Sequence, residues 1–317
     1  LPGTGRMTAL VPPRRHLGIV HCMGRDRGEP SPLGPLLGAE PAVPFFSGTP
    51  LREGVCEADM MGAHFGEPVP VVDCKTVDLK VPATAEIVIE GTISDTETAE
   101  EGPMGAFAGY MGEHDTPQPV YNVTALSYRD KPILPVAAAG VPVEDTHTCC
   151  GTMYSAAILK ELRDRDFPVE SCFLLYESAA HMLAVAVKPA RHNAADKKKL
   201  SRMSRDIIFG SKGGVDFPKV ILVDNDIDPS DPDKVLWAFA TRCHPQNDAH
   251  FYTHEKTIPL IHYLHAAEKK DMSTTKVVFD ALIEDFDRST VVSFENNYPE
   301  EIKEKVLTNW KKYGYGD

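Results

Sequence analysis

Apolar positions in the first half of the chain fall in short blocks separated by turn formers. Val69-Pro70-Val71-Val72, Glu86 to Ile93, Val120 to Leu126 and Ile133-Leu134-Pro135-Val136 are rich in β-branched residues, which predicts short strands. Strands at this spacing suggest a barrel or sandwich. Upstream, Pro30, Pro32, Pro35, Pro41, Pro44 and Pro50 exclude a long helix over residues 28–50 and predict loops around short strands.

The period changes after Gly151. Tyr154, Ile158 and Leu162 share one helical face, with Leu159 beside them, while Lys160, Glu161, Arg163 and Asp164 point outward, which predicts a connector helix. Strand-like blocks at 172–176 and 183–187 then precede a helix carrying Leu200, Met203 and Ile207. A strand at Val220–Val223 leads to Pro232 at the first position of a helix that Asp231 caps. Strands alternating with helices make the second half α/β.

The length of 317 residues predicts two domains, and 42% hydrophobic with 25% charged residues is ordinary for a globular protein. A net charge of -13 argues against nucleic acid or an anionic membrane as partner, because both would be repelled. It leaves room for a small anionic substrate in a locally positive pocket. The seven cysteines form no zinc-type pairs, which predicts reduced thiols and a cytoplasmic location. No apolar run is long enough to span a membrane. The chain starts at Leu1, so a targeting segment would not be visible.

Two stretches place carboxylates beside glycine turns: Glu53-Gly54-Val55-Cys56-Glu57 and Glu101-Gly102-Pro103-Met104-Gly105-Ala106-Phe107-Ala108-Gly109-Tyr110. A Glu fixed on such a turn serves as a metal ligand or a proton carrier. Asp224, Asp226 and Asp228 alternate as a calcium loop does, but Pro229 and Val235 occupy the positions that need Gly and Glu. His147, His244, His250 and His254 lack zinc-site spacing, and no Walker or Rossmann glycine pattern is present.

These stretches, together with Glu67-Pro68-Val69-Pro70, Val81-Pro82-Ala83-Thr84-Ala85-Glu86, Tyr128-Arg129-Asp130, Asp145-Thr146-His147-Thr148, Ile221 to Asp228, Thr241-Arg242 and the ending Asn309 to Tyr315, resemble the UbiD family of decarboxylases in serial order. The likeness is to its ferulic and cinnamic acid branch, without the family's N-terminal portion.

The resemblance implies an α/β (α+β) fold. Residues 1–150 would form part of a prenylated-FMN-binding split β-barrel domain, 151–166 a linker helix, and 167–317 a C-terminal α/β dimerisation domain whose last helix, with Val306 and Trp310, packs back across a homodimer.

It further implies non-oxidative decarboxylation of an aromatic, heteroaromatic or α,β-unsaturated carboxylic acid, with a flavin prenyltransferase as cofactor supplier. Glu101 matches the family's proton donor and Arg6 its substrate-orienting guanidinium. His16 and Glu57 match ligands that hold Mn²⁺ against the flavin phosphate, with K⁺ a further candidate ion, and Lys212 matches the lysine reaching that phosphate. Thr146, Cys150, Ile258 and Leu260 match the substrate pocket.

The sequence departs from the pattern at three positions: Leu1 stands where the family has an Asn metal ligand, Ala106 where the cinnamic branch has a second Glu, and Ile258 where it has an aromatic residue. The rival reading is a truncated or degenerate non-catalytic relative.

Overall fold

The computed structural model describes residues 5–8, 16–51, 54–111, 116–287 and 290–315. The chain divides into two compact units, one of residues 1–157, 176–180 and 258–272, the other of residues 158–175, 181–257 and 273–317.

The first unit holds β1 (Gly5–Thr8), α1 (His16–Arg27), β2 (Ser31–Leu33), β3 (Leu36–Leu37), α2 (Ala42–Ser47), α3 (Glu57–Phe65), β4 (Val71–Asp73), β5 (Lys80–Pro82), β6 (Ile87–Glu101), β7 (Thr116–Tyr128) and the start of α4 (Asp145–Asp164). Its main sheet is antiparallel in the order β1-β7-β6-β2, with β3 also on β6, while β4 and β5 pair separately.

The β6–β7 ribbon is irregular at Glu90/Gly91 and again between Ile93 and Thr98. A Cβ on Gly91 would lie 2.0 Å from the carbonyl oxygen of Asn122, so only glycine allows this approach. Beside it, the buried Glu90 carboxylate accepts the Thr76 N–H at 2.6 Å and the Thr76 hydroxyl at 2.9 Å. Burial pushes the Glu90 pKa up, but hydrogen bonds from the Lys75 and Thr76 backbone outweigh it and hold the group below its ordinary value. Buried Tyr121 donates its hydroxyl to the carbonyls of Leu33 and Ile89, at 2.9 and 2.8 Å, joining β7 to the residues of β2 and β6.

Two expectations are corrected here. Residues 133–136 form no strand: Pro135 has no N–H for a ladder, and Ile133 and Val136 are exposed. The connector helix starts at Asp145, ahead of Gly151, because the Glu144 carboxylate accepts the Thr146 N–H at 2.9 Å and satisfies a first-turn donor. Its buried face carries Tyr154, Ile158 and Leu162 as expected.

The second unit contains the end of α4, then β8 (Val169–Leu174), β9 (Met182–Val187), α5 (Ala194–Ile208), β10 (Lys219–Asp224), α6 (Pro232–Arg242) and β11 (Ala249–Lys256). After α7 (Ala266–Asp271), which belongs to the first unit, come β12 (Ser273–Ala281), α8 (Phe294–Asn297) and α9 (Glu300–Thr308). The sheet order is β11-β12-β10-β9-β8, parallel through β12-β10-β9 and antiparallel at both edges. Ile221, Val223, Ala184, Ala186 and Ala281 pack against Val235 and Ala238 of α6. Asp231 caps α6 by accepting the N–H groups of Asp233 and Lys234, with Pro232 at its start. Helix α9 ends at Thr308, so Trp310 lies beyond it, stacked on Tyr315 at 4.5 Å.

A buried ionic cluster closes the carboxyl ends of β10 and β12. Arg242 grips Asp226 through two hydrogen bonds of 2.9 and 2.7 Å and reaches Asp224 at 3.4 Å, while Lys197 lies 3.8 Å from Asp280. Burial pushes Asp224 and Asp280 up to about 6, against the opposing pull of nearby cations and of the Ile283 and Leu282 N–H groups.

A carboxyl raised from 3.8 to about 6 binds its proton more tightly in the folded chain, so its stabilising contribution is complete below pH 3.8 and disappears as pH rises through 6. The stability of the wild type minus that of Asp280→Asn is therefore expected to fall, by on the order of 1–3 kcal/mol, between about pH 4 and pH 6 and to stay level above pH 7. Urea titrations across that range check it, and a pH-independent difference would refute it.

Candidate active site

Glu101 is the last residue of β6, paired with Thr116 on β7 and half-buried. The chain then turns through Gly102, at φ 104°, into a small loop in which Gly105 bridges Met111, Ala106 N–H bonds the Tyr110 carbonyl at 2.9 Å and Gly109 N–H bonds the Ala106 carbonyl at 2.9 Å. Gly109 adopts φ 86°, and a Cβ there would lie 3.1 Å from Val141 Cα. Glycine is needed both for the turn and for the passage of residues 140–141.

This loop contacts two other segments of the first unit. Phe107 O accepts a hydrogen bond from His147 Nε2 at 2.6 Å, which connects the loop to the helix carrying Thr146 and Cys150. Those two residues are one turn apart on α4 and share a face, both half-buried. On another side, Tyr110 stacks on His262 with centroids 3.9 Å apart and planes 7° from parallel. His262 follows Ile258 and Leu260 in the segment that belongs to the first unit although its sequence neighbours lie in the second. The loop after Glu101 is thus tied to both pocket segments that the sequence singled out.

Arg6 sits on β1 opposite Asn122. Its guanidinium donates to Glu97 at 2.5 Å, both side chains being more than half exposed. Glu97 was not singled out in the sequence, and it is the hydrogen-bond partner found for Arg6 among the described residues. The two glutamates are four residues apart on one strand, roughly 13 Å at the usual rise.

Glu57 opens α3, half-buried in the first turn, where a carboxylate is favoured by the helix dipole. His16 opens α1, but its side chain lies outside the described residues, as does Leu1. Among the described residues no three His, Cys, Asp or Glu side chains gather as a metal site.

Lys212 belongs to the second unit and lines a cleft of about 370 Å³ with Arg205, Phe209, His254, Glu255 and Lys256. It is exposed and precedes the Gly213–Val215 turn. That turn is clamped from beneath: fully buried Lys276 donates its ammonium to the carbonyls of Gly214 and Val215 at 2.7 and 3.2 Å, and Ser211 Oγ accepts the Gly214 N–H at 3.0 Å. Burial pushes Lys276 down to about 8. Gly214 is obligatory, since a Cβ would lie 1.8 Å from Ile208 O.

Residues 3–142 match the 3-octaprenyl-4-hydroxybenzoate carboxy-lyase Rift-related domain, and residues 147–281 match the C-terminal domain of the same enzymes. The chain belongs to the UbiD family. It is 41% identical over 311 residues to a pyrrole-2-carboxylic acid decarboxylase of Pseudomonas aeruginosa, covering 96% of this chain and 63% of the relative. It is 36% identical to ferulic acid decarboxylase 1 of Saccharomyces cerevisiae, over 90% of this chain and 58% of that one. The chain therefore spans less than two thirds of these UbiD relatives.

The UbiD-class enzyme HmfF from Pelotomaculum thermopropionicum, solved in complex with FMN, superposes with a TM-score of 0.74 at 26% identity, covering 93% of this chain and 61% of that one. The closed form of vanillic acid decarboxylase from Sedimentibacter hydroxybenzoicus shares the fold, with a TM-score of 0.82 at 22% identity over 96% of this chain and 63% of that one. The family and the mixed α/β fold expected from the motifs are borne out.

Because the Arg6–Glu97 pair is solvent-exposed, its coupling is expected to be below about 1 kcal/mol in a double-mutant cycle of Arg6→Ala and Glu97→Ala. A coupling above about 2 kcal/mol would show that Arg6 is locked to Glu97 and not free to change partner.

Proposed function

We propose that the protein is a prenylated-FMN-dependent, non-oxidative decarboxylase of an aromatic, heteroaromatic or α,β-unsaturated carboxylic acid. The observation that carries this reading is the loop following Glu101, which the fold ties to both segments bearing the pocket residues Thr146, Cys150, Ile258 and Leu260. Family membership gives that arrangement its chemical meaning, and it weighs against a degenerate, non-catalytic chain.

Arg6 orients the substrate carboxylate. An exposed ion pair is worth little, so an incoming carboxylate can take the place of Glu97 on the guanidinium at small cost. The bond between the substrate carbon and its carboxylate breaks, carbon dioxide leaves, and the carbon takes a proton from Glu101. Bound prenylated FMN would supply the electron sink for the pair left behind. The aliphatic Ile258 and Leu260 pack against the ring of the acid, and Ala106 leaves room beside it.

The cations of the second unit's cleft suit the flavin phosphate. Lys212, Lys256 and Arg205 are gathered there in a chain of net charge -13, and Lys212 is the residue assigned to the phosphate. Glu57 and His16 are assigned to Mn²⁺, with K⁺ as a further ion. Helix α9 buries none of its residues within the single chain, and its exposed Ile302 and Leu307 fit a homodimer contact. A flavin prenyltransferase supplies the cofactor, and the seven free thiols suit the cytoplasm.

Co-expression with a flavin prenyltransferase, followed by measurement of carbon dioxide release from pyrrole-2-carboxylic, cinnamic and benzoic acids, tests the proposal. Turnover is expected with at least one class, and its absence on every acid despite bound cofactor would favour the non-catalytic reading. Glu101→Gln is expected to retain flavin and lose at least about a hundredfold in turnover, since the amide keeps the shape but carries no exchangeable acid proton. Ala106→Glu is expected to lower activity on the native acid, because a second carboxylate beside the pocket repels that of the substrate. A rise in activity on cinnamic acids would instead mark Ala106 as a lost catalytic position.

A further inference from the structure

We infer that His147 is a positioning residue whose imidazole sets the spacing between the loop following Glu101 and the helix face that bears Thr146 and Cys150. Its consequence for turnover rests on the decarboxylase reading above, whereas its consequence for the loop rests on geometry alone.

The ring is fully buried at the start of α4. Its Nδ1 accepts the Glu144 N–H at 3.0 Å, and because that amide can only donate, the ring proton is assigned to Nε2. From there it is donated to Phe107 O at 2.6 Å. Both ring nitrogens are therefore engaged in a single tautomer, one within the helix start and one across to the loop.

Glu144 Oε2 takes the Thr146 N–H at 2.9 Å, while Glu144 Oε1, 3.5 Å from His147 Nδ1, is buried and has no hydrogen-bond partner. Phe107 lies within the turn closed by the Ala106–Tyr110 and Gly109–Ala106 hydrogen bonds, in which Tyr110 stacks on His262 and Gly109 passes close to residues 140–141. Withdrawing the imidazole donor leaves that carbonyl without its partner on α4 and releases the loop on the helix side. Small displacements of groups around a reacting centre cost turnover far more than they cost binding.

Three variants separate the two hydrogen bonds. His147→Gln keeps an N–H long enough to reach Phe107 O. His147→Asn keeps an acceptor for the Glu144 N–H but falls short of Phe107, and His147→Leu removes both. Hydrogen exchange of the full chain, read by mass spectrometry over residues 102–111, is expected to speed up by about tenfold or more in Asn and Leu and to remain near wild type in Gln.

With the cofactor-loaded enzyme, kcat is expected to fall about tenfold to a hundredfold in Asn and Leu, with KM and flavin content little changed, and to be largely retained in Gln. Unchanged exchange over 102–111 in both Asn and Leu overturns the inference. So does a failure of these variants to fold, or faster exchange spread throughout β6 and β7, since His147 would then serve the fold at large. Should the wild type decarboxylate no acid, the decarboxylase reading fails while the exchange data still decide the positioning role.

Discussion

The long antiparallel pairing of β6 with β7 is the constraint on which the first unit depends. It is the spine of that unit's sheet, β1 with Arg6 lies along its free edge, and Glu101 stands at its end. Side chains alternate along a strand, so a slip of one residue would carry Glu97 and Glu101 to the opposite face. The register is pinned where the ribbon is irregular: Gly91 admits the Asn122 carbonyl and Glu90 is held by Thr76. Beyond the second irregularity, the pairs from Thr98–Pro119 to Glu101–Thr116 carry the register to the candidate proton donor.

The second unit solves a different problem. Its parallel strands end in a cluster of carboxylates from which water is largely excluded, and two of them hold protons up to about pH 6. The bidentate grip of Arg242 on Asp226 compensates part of the burial, as does the backbone N–H of Ile283 on Asp224. Of the alternating aspartates, Asp224 and Asp226 meet Arg242 of α6 at the sheet end, while Asp228 accepts the Ser230 N–H and hydroxyl, in keeping with the rejection of a calcium loop from the sequence.

Local features were legible in the sequence. The apolar face Tyr154–Ile158–Leu162, the Asp231–Pro232 helix start and the strand blocks of β6 and β7 follow from periodicity and capping, which depend on neighbours along the chain. Serial motifs singled out Glu101, Thr146, Cys150, Ile258 and Leu260 as candidates. Partnerships made across the fold were not legible. Glu97 is a plain strand glutamate until β1 is laid beside β7, and residues 258–272 give no local sign that they belong with the first unit. His147 was set aside because its spacing did not suit zinc, but its actual partners are two backbone groups, which carry no residue-type signature. Residues 133–136 misled because their apolar content reads as strand, while Pro135 removes the donor a strand needs there.

The clamped turn beneath Lys212 has a consequence for how the second unit would receive an anion. Lys276 and Ser211 fix the Gly213–Val215 backbone by hydrogen bonds, and Gly214 is wedged against Ile208. A loose turn would have to surrender about 1–2 kcal/mol of backbone entropy for each residue ordered on binding. Here the ordering of the turn is completed during folding. An anion meeting this turn would find its backbone already ordered, so less of the attraction would be spent on ordering it.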